Sequence, residues 1–418
     1  MHYISANVSG PIRHIYVHIP FCARICPYCA FYKELLDRSQ TERFCQALLM
    51  ELRQHAQDRP ASRRKDSYFA EVAGSPSSFD SRRQCDDTLS GEGAAGQSPV
   101  RRLLLPTTIY FGGGTPTALT TRQLEFLLGG LGEALNLSNL VEWTMEANPG
   151  SVSPRKAALL RRLGITRISL GVQSWDDDLL KLLGREHNAK QARESFAILR
   201  RAGFSNINVD LMFGLPGQTL EQWRRTLKET VSLSPEHIST YCLTYEEDTE
   251  FFLRHGRGEF RQDSDADAEF FETTMSILEG ADYEHYEISN YARPGFRSAH
   301  NQAYWSGSDY LGIGPSSFST VGATRWQNIS DFRGYADRVL SGKSTISSLE
   351  QLTPEMKRAE KIALALRTDQ GAAADLLEGW PNEINEFIRL GLLKRRNGSF
   401  ILTRSGKALA DSVAEAFL

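Results

Sequence analysis

The sequence has no run of about eighteen consecutive apolar residues, the length a membrane-crossing helix needs, so no span is expected. Its first ten residues, Met1 to Gly10, lack the charged start and apolar stretch of a secretory signal. Positive charge is not in excess. The 48 Lys and Arg stand against 51 Asp and Glu, a net of −3, which argues against bulk nucleic-acid binding. Cysteine is scarce. Six in 418 residues make no disulfide framework, and clustered reduced thiols point to a cytoplasmic location. The remaining composition, 41% hydrophobic and 24% charged, is that of an ordinary globular chain with room for two or three domains.

Half of that little cysteine is concentrated in one stretch. Cys22, Cys26 and Cys29 are spaced C-x3-C-x2-C and follow His14–Pro20, a short apolar run that reads as a buried strand. Cys45, Cys85 and Cys242 are scattered and read as structural or incidental. A four-thiolate zinc site would want a second pair, and none is near. Cysteines that serve only as small buried apolar residues would not need this spacing. Three thiolates suit a [4Fe–4S] cluster with one iron left open to an outside ligand.

Beyond the cluster, an amphipathic helix is expected over 39–57, with Phe44, Leu48, Leu49 and Leu52 at helical spacing. Residues 58–102 are rich in Ser, Gly, Arg and Asp without periodicity, and read as a disordered insertion. Strands over 107–111, 140–146, 167–172, 207–213 and 237–243 then alternate with helices over 121–135, 153–163, 190–202, 220–232 and 266–278. With the strand before the cluster, this is an α/β pattern of six repeats, a parallel sheet closed into a partial barrel. Ligand-binding residues belong at the carboxyl ends of such strands.

We divide the chain into a barrel over 1–57 and 103–282, an extension over 283–350 and a C-terminal unit over 351–418. In the extension a strand is expected at 283–288, and Gly312–Ser316 reads as a loop or turn. The C-terminal unit reads as helices over 354–365 and 382–390 and a hairpin over 393–402 turning at Asn397-Gly398. A single helix over 404–417 ends it, in a winged-helix-like α+β order. Its basic residues stop at Lys394-Arg-Arg396, so docking suits it better than nucleic acid.

Gly112-Gly-Gly-Thr-Pro116 follows the 107–111 strand, where glycines let backbone approach a ligand. It lacks the Lys-Ser/Thr of a phosphate loop and the G-x-G-x-x-G of a dinucleotide site. Glu146, Gln173 and Asp210 lie at or inside successive strands, and Arg185 lies in a following loop. Each alone reads as a satisfied polar group. Together they suit the amine, carboxylate and ribose hydroxyls of one nucleoside ligand.

These motifs in combination resemble the radical S-adenosylmethionine (SAM) superfamily, and within it the oxygen-independent coproporphyrinogen dehydrogenase family. The resemblance covers nearly the whole chain outside 58–102. It implies a partial (β/α)6 radical SAM barrel with a C-terminal domain. It implies that Cys22, Cys26 and Cys29 ligate the [4Fe–4S] cluster and that SAM chelates the open iron. It places Tyr16, Gly113 and Glu146 against this SAM, and Tyr28, Gly114, Thr115, Gln173, Arg185 and Asp210 at a second SAM site. The family chemistry is one-electron reduction of the SAM sulfonium by the cluster.

Two branches of the family differ here. The dehydrogenase branch carries a fourth cysteine two residues after the third, where this chain has Phe31. His300-Asn-Gln-Ala-Tyr-Trp305 matches an HNxxYW motif that marks the sister branch of haem chaperones. The resemblance therefore implies haem binding, with His300 as an axial imidazole and Tyr304 and Trp305 as flat apolar surface. Read without it, His300 is a loop histidine with two aromatics anchoring a turn, and Cys242 or the cluster thiols are rival ligands. The expected function is a haem chaperone that passes haem to a haem-accepting protein, gated by cluster redox state or SAM occupancy. A respiratory protein, or one at a membrane surface, is among the expected acceptors. The alternatives are oxidative decarboxylation of coproporphyrinogen III to protoporphyrinogen IX, and a radical SAM enzyme with another tetrapyrrole substrate. Oligomeric state is left open.

Overall fold

The computed structural model describes residues 10–56, 102–261 and 263–417. The reading of 58–102 as an insertion, and Cys85 with it, falls outside these except for Arg102, whose guanidinium pairs with Asp309.

Six parallel strands run side by side in chain order: β1 (Ile12–Ile19), β2 (Leu104–Gly113), β3 (Glu142–Ala147), β4 (Arg167–Gln173), β5 (Ile207–Phe213) and β6 (His237–Cys242). Their side chains alternate with period two. Ile15, Val17, Ile109, Phe111, Trp143, Met145, Ile168, Leu170, Val209 and Ile238 are buried in one core with Phe44, Leu124, Ala157, Phe196 and Trp223 of the flanking helices. The opposite face carries His14, Tyr16, Thr108, Tyr110, Glu146, Ser169, Asn208, Asp210 and His237, which bond or stack with one another, and Glu142, which bonds Thr144. The concave face is therefore polar, unlike the apolar filling of a closed eight-stranded barrel. The run before the cluster is not uniformly apolar either, because its three polar rings line this face.

The helices begin where local chemistry satisfies their free N–H groups. Ser153 caps Pro154–Arg162 by accepting from Lys156 N. Capping boxes at Thr120/Gln123, Asn188/Gln191 and Thr219/Gln222 start three others. Two short helices that the sequence did not announce, Asp177–Leu182 and Glu250–Gly256, sit on loops at the carboxyl end of the barrel.

Among the described residues the sheet has twelve strands. Beyond β6 it continues antiparallel through Asn290–Ala292 and Glu284–Glu287. Beside β1 it continues with Tyr310–Ile313, parallel, then Phe318–Val321, Thr324–Asn328 and Ile346–Gln351. Gly312 is thus inside a strand paired with Tyr16, not in a turn. A Cβ there would meet the Phe318 carbonyl oxygen at 2.1 Å, so glycine serves close strand approach, and the turn begins at Gly314, φ +101°. Residues 299–305 form a helix, Ala299–Trp305, so His300 is helical and not a loop residue.

The C-terminal unit has its own core of Ile362, Leu366, Leu377, Leu393, Val413 and Phe417. Helices Pro354–Leu366 and Pro381–Arg389 precede a hairpin, Leu393–Arg396 with Ser399–Leu402. The final helix is broken into Arg404–Lys407 and Ala410–Glu415. Leu409 leaves helical geometry at φ −118°, ψ 27°, and the turn lets Ala410, Val413 and Phe417 enter the core.

Candidate cofactor site

The three cysteines leave the carboxyl end of β1 on a loop whose ends are pinned together. Phe21–Cys22 pairs with Glu34–Leu35, and Leu36 N–H donates to Cys22 O at 3.0 Å. Inside the loop, Cys29 N–H donates to Cys26 O at 3.2 Å, and Lys33 Nζ reaches the Cys29 carbonyl. All three thiols are half-buried. Burial pushes the Cys22 and Cys29 thiols above their ordinary range, with Thr115 pulling against it at Cys22 and Lys33 at Cys29. Phe31 is 71% exposed at the loop's tip.

The glycine run after β2 is folded against this loop. Gly114 N–H donates to Ile19 O at 2.8 Å and Thr115 N–H to Phe21 O at 2.7 Å. A Cβ on Gly114 would lie 2.6 Å from Pro20 O, so only glycine permits the approach. Thr115 Oγ1 stands 3.6 Å from Cys22 Sγ and accepts from Asn148 Nδ2 at 2.9 Å. Asn148 Oδ1 in turn accepts from Arg185 at 2.7 Å, and Arg185 also reaches Gly171 O at 2.7 Å and lies 3.7 Å from Cys26 Sγ. A continuous polar chain therefore joins Cys22 to Cys26 through Thr115, Asn148 and Arg185. Tyr28 lies beside the same guanidinium, and burial pushes its hydroxyl pKa up.

Gln173 ends β4 at φ +68°, a left-handed conformation that costs a residue with a side chain about 1–2 kcal/mol. Over Gly171 three polar groups converge. A Cβ there would meet Gln173 Nε2 at 3.0 Å, Asn148 Oδ1 at 3.2 Å and Arg185 Nη2 at 3.3 Å.

Deeper in the barrel, the Glu146 carboxylate accepts from Tyr110 Oη at 2.8 Å and from Gly113 N–H at 3.2 Å. Burial pushes its pKa up to about 7, against the pull of the Tyr110 hydroxyl. Asp210 accepts from Ser169 Oγ at 3.0 Å and Asn208 Nδ2 at 2.7 Å, and burial raises its pKa too. Tyr16 stacks on Tyr110 with ring centroids 6.3 Å apart, and its hydroxyl bonds His18 Nδ1 at 3.0 Å. The lone buried cation of this layer among the described residues is Arg167, 1% exposed, with its Nε unpartnered.

The three cysteines, Tyr28, Gly113, Gly114, Thr115, Gln173 and Arg185 thus gather at the carboxyl end of the barrel, while Tyr16, Glu146 and Asp210 lie deeper on its concave face. His300, Tyr304 and Trp305 do not join them. Their helix lies across the amino-terminal end, where the Glu142 carboxylate accepts from Ala299 N–H at 2.8 Å, His300 N–H at 3.1 Å and Ser298 Oγ at 3.3 Å. His300 is 1% exposed, bonds Thr108 Oγ1 through Nδ1 at 2.8 Å, and leaves Nε2 unpartnered. Burial lowers its pKa to about 3, so the ring is neutral. It stacks on Tyr110 at 5.2 Å and meets Tyr304 edge-on at 4.8 Å, while Trp305 lies edge-on to Tyr286 at 5.7 Å. The rival thiol of Cys242 is pushed up to about 12 by burial and Asp267, a poor state for ligation.

The residues present fit a [4Fe–4S] cluster with SAM. Among the described residues no three His, Cys, Asp or Glu side chains stand close enough to share a single metal ion. Three half-buried thiols on one pinned loop suit an iron–sulfur centre, and the Arg185 guanidinium, its Nε unpartnered and 3.7 Å from Cys26 Sγ, offers a positive charge beside them. Tyr110, Asn148 and Arg167 escaped the sequence reading. Asn148 lies just past the end of β3, two residues beyond Glu146. The other two needed the period-two register of β2 and β4 to be seen as one face.

A model of the radical SAM superfamily matches residues 105–230. Over 97% of its length the chain is 32% identical to the haem chaperone HemW of Bacillus subtilis (strain 168), covering 99% of that protein. It is 30% identical to the haem chaperone HemW of Escherichia coli (strain K12) over 98% of this chain and 99% of that one. It is also 30% identical to the mitochondrial radical S-adenosyl methionine domain-containing protein 1 of Bos taurus, over 97% and 87%. Among solved structures, the coproporphyrinogen III oxidase HemN of Escherichia coli, a radical SAM enzyme, aligns with 98% of this chain and 91% of its own. The TM-score is 0.75 at 20% identity, a likeness of fold.

Proposed function

The chain belongs to the HemW family of the radical SAM superfamily, and on that premise we propose that it is a haem chaperone, binding haem and handing it to an acceptor protein. The observation that carries this is the end-to-end match, at 30–32% identity, to proteins named haem chaperones. Phe31 in place of a fourth cysteine, and His300 with Tyr304 and Trp305, agree with it.

Cys22, Cys26 and Cys29 would hold the cluster. Tyr16, Gly113 and Glu146 would contact one SAM, and Tyr28, Gly114, Thr115, Gln173, Arg185 and Asp210 would line a second SAM position. When bound, the cluster and SAM supply a one-electron couple. The chain's own part is positional. Arg185 balances thiolate charge, the glycine run holds backbone against the cysteine loop, and the desolvated Glu146 and Asp210 accept from ammonium or hydroxyl donors. His300, Tyr304 and Trp305 would hold haem. In the tautomer whose Nδ1–H donates to Thr108, the neutral imidazole leaves Nε2 with the free lone pair an axial ligand needs. At 1% exposure it is reached only when helix Ala299–Trp305 moves. A cytoplasmic site of action goes with this reading. Among the described residues no helix is long and apolar enough to cross a membrane.

The test is a haem titration of the anaerobically reconstituted protein beside an assay of coproporphyrinogen III with SAM and reductant. Stoichiometric haem binding with no protoporphyrinogen is expected. Turnover of coproporphyrinogen would replace the chaperone with the decarboxylating enzyme.

A further inference from the structure

Between the two ends of the barrel stands Tyr110. Its hydroxyl donates to Glu146 at 2.8 Å, and its ring lies between Tyr16 at 6.3 Å and His300 at 5.2 Å. Glu146 takes one further hydrogen bond, from the Gly113 backbone at 3.2 Å. The setting is tight, since a Cβ on Gly112 would lie 2.9 Å from both Glu146 Oε1 and the Tyr110 ring. His300 is itself fixed on three sides, by Thr108 at Nδ1, by Glu142 at its backbone N–H, and by Tyr304 edge-on.

We infer that Tyr110 is a positioning residue, which aims the Glu146 carboxylate at SAM and is itself held by helix Ala299–Trp305 through the stacked ring of His300. The inference rests on the reading of Glu146 as a SAM contact, and it gives the HNxxYW helix a second task at the amino-terminal end of the barrel. Two consequences follow from geometry. The Tyr110 hydroxyl matters to SAM and not to haem. The His300 ring matters to SAM as a flat surface, whatever its nitrogens do.

The experiment is equilibrium dialysis of labelled SAM against the cluster-loaded protein without haem, across pH 6 to 9. Wild type is compared with Glu146→Gln, Tyr110→Phe, His300→Ala and His300→Phe, and thermal melts confirm folding. Tyr110→Phe removes one charge-assisted hydrogen bond and should weaken SAM about tenfold. His300→Ala should weaken SAM in the same direction, and His300→Phe, which restores a ring, should recover most of it. The pH profile separates positioning from general loosening. Glu146 faces Tyr16, Tyr110, Arg167, Asp210 and Tyr241, and only its Tyr110 donor is removed by Tyr110→Phe. SAM affinity should then rise with pH about a higher midpoint than in wild type. Loss of SAM in Glu146→Gln with none in Tyr110→Phe, or with an unmoved midpoint, overturns the inference and leaves the proposed function standing. No loss in Glu146→Gln removes Glu146 from the SAM site and overturns both the inference and that part of the function.

Discussion

At Gln173 the backbone, not the side chain, carries the information. A non-glycine residue at φ +68° is held there against its preference, and the side chain converges with Asn148 and Arg185 over Gly171. Gln173→Gly would relieve about 1–2 kcal/mol of strain and lose about 0.5–1 kcal/mol to the freer unfolded chain. Folding stability should therefore stay within about 1 kcal/mol of wild type in urea titration, while SAM affinity falls. A clear loss of stability would mean that the side chain is there to fold the barrel. The sequence made Gln173, Glu146 and Asp210 visible, since polar groups at strand ends stand out. Tyr110 and Arg167 were hidden because an aromatic or a basic residue inside a strand has many uses, and only the shared concave face gives them one.

At the scale of elements, the HNxxYW stretch was legible as a motif but not as a helix. Seven residues, Ala299 to Trp305, carry too short a pattern for periodicity to speak. What makes the helix is remote. The carboxylate of Glu142, on β3, accepts from its first two N–H groups and from the Ser298 hydroxyl. Glu142→Ala should leave those donors buried without partners, at about 1–3 kcal/mol each before relaxation. Hydrogen exchange at Ala299 and His300 should quicken, and haem should bind faster if helix release admits it. Slower haem uptake would show that the docked helix is itself the binding form. The parallel strands, by contrast, were all legible, although β2 runs Leu104–Gly113 where 107–111 was expected. Their outward positions are continuous with helix-covered core, and that half of the alternation is what hydrophobicity reports. The broken final helix was not, because Leu409 turns the chain for the sake of a core whose other residues are drawn from Ile362 to Leu402.

For the whole molecule, burial of titratable groups in a polar barrel sets how stability depends on pH. His14, His18, His55, His187, His237, His285 and His300 are all held below the ordinary imidazole value of 6.5 by burial. Below about pH 6.5 the unfolded chain takes up protons that the folded chain refuses, so these seven cost stability as pH falls. Glu51 and Glu146 act with the opposite sign. Burial pushes both up to about 7, although Glu51 accepts from Tyr335 at 2.6 Å, Asn328 at 2.7 Å and Gly314 N–H at 2.8 Å. Asp210 is raised as well. The fold keeps protons on these carboxyls that the unfolded chain releases near about pH 4.5, so stability declines as pH rises from there to about 7. At about pH 5.5 the seven histidines outweigh the three carboxyls, and the carboxyls catch up only as pH approaches about 7. Melting temperature of the cofactor-free protein should therefore peak near pH ~7 and fall on both sides between pH 5 and 8. Glu51→Gln, which cannot ionise, should flatten the alkaline side of that peak while lowering its height, since an amide cannot accept from all the donors that meet the carboxylate. A melting temperature that climbs steadily to pH 8 would mean that Glu51 and Glu146 are ionised well below neutrality in the folded protein. The hydrogen bonds to Glu51, and not its burial, would then set its charge.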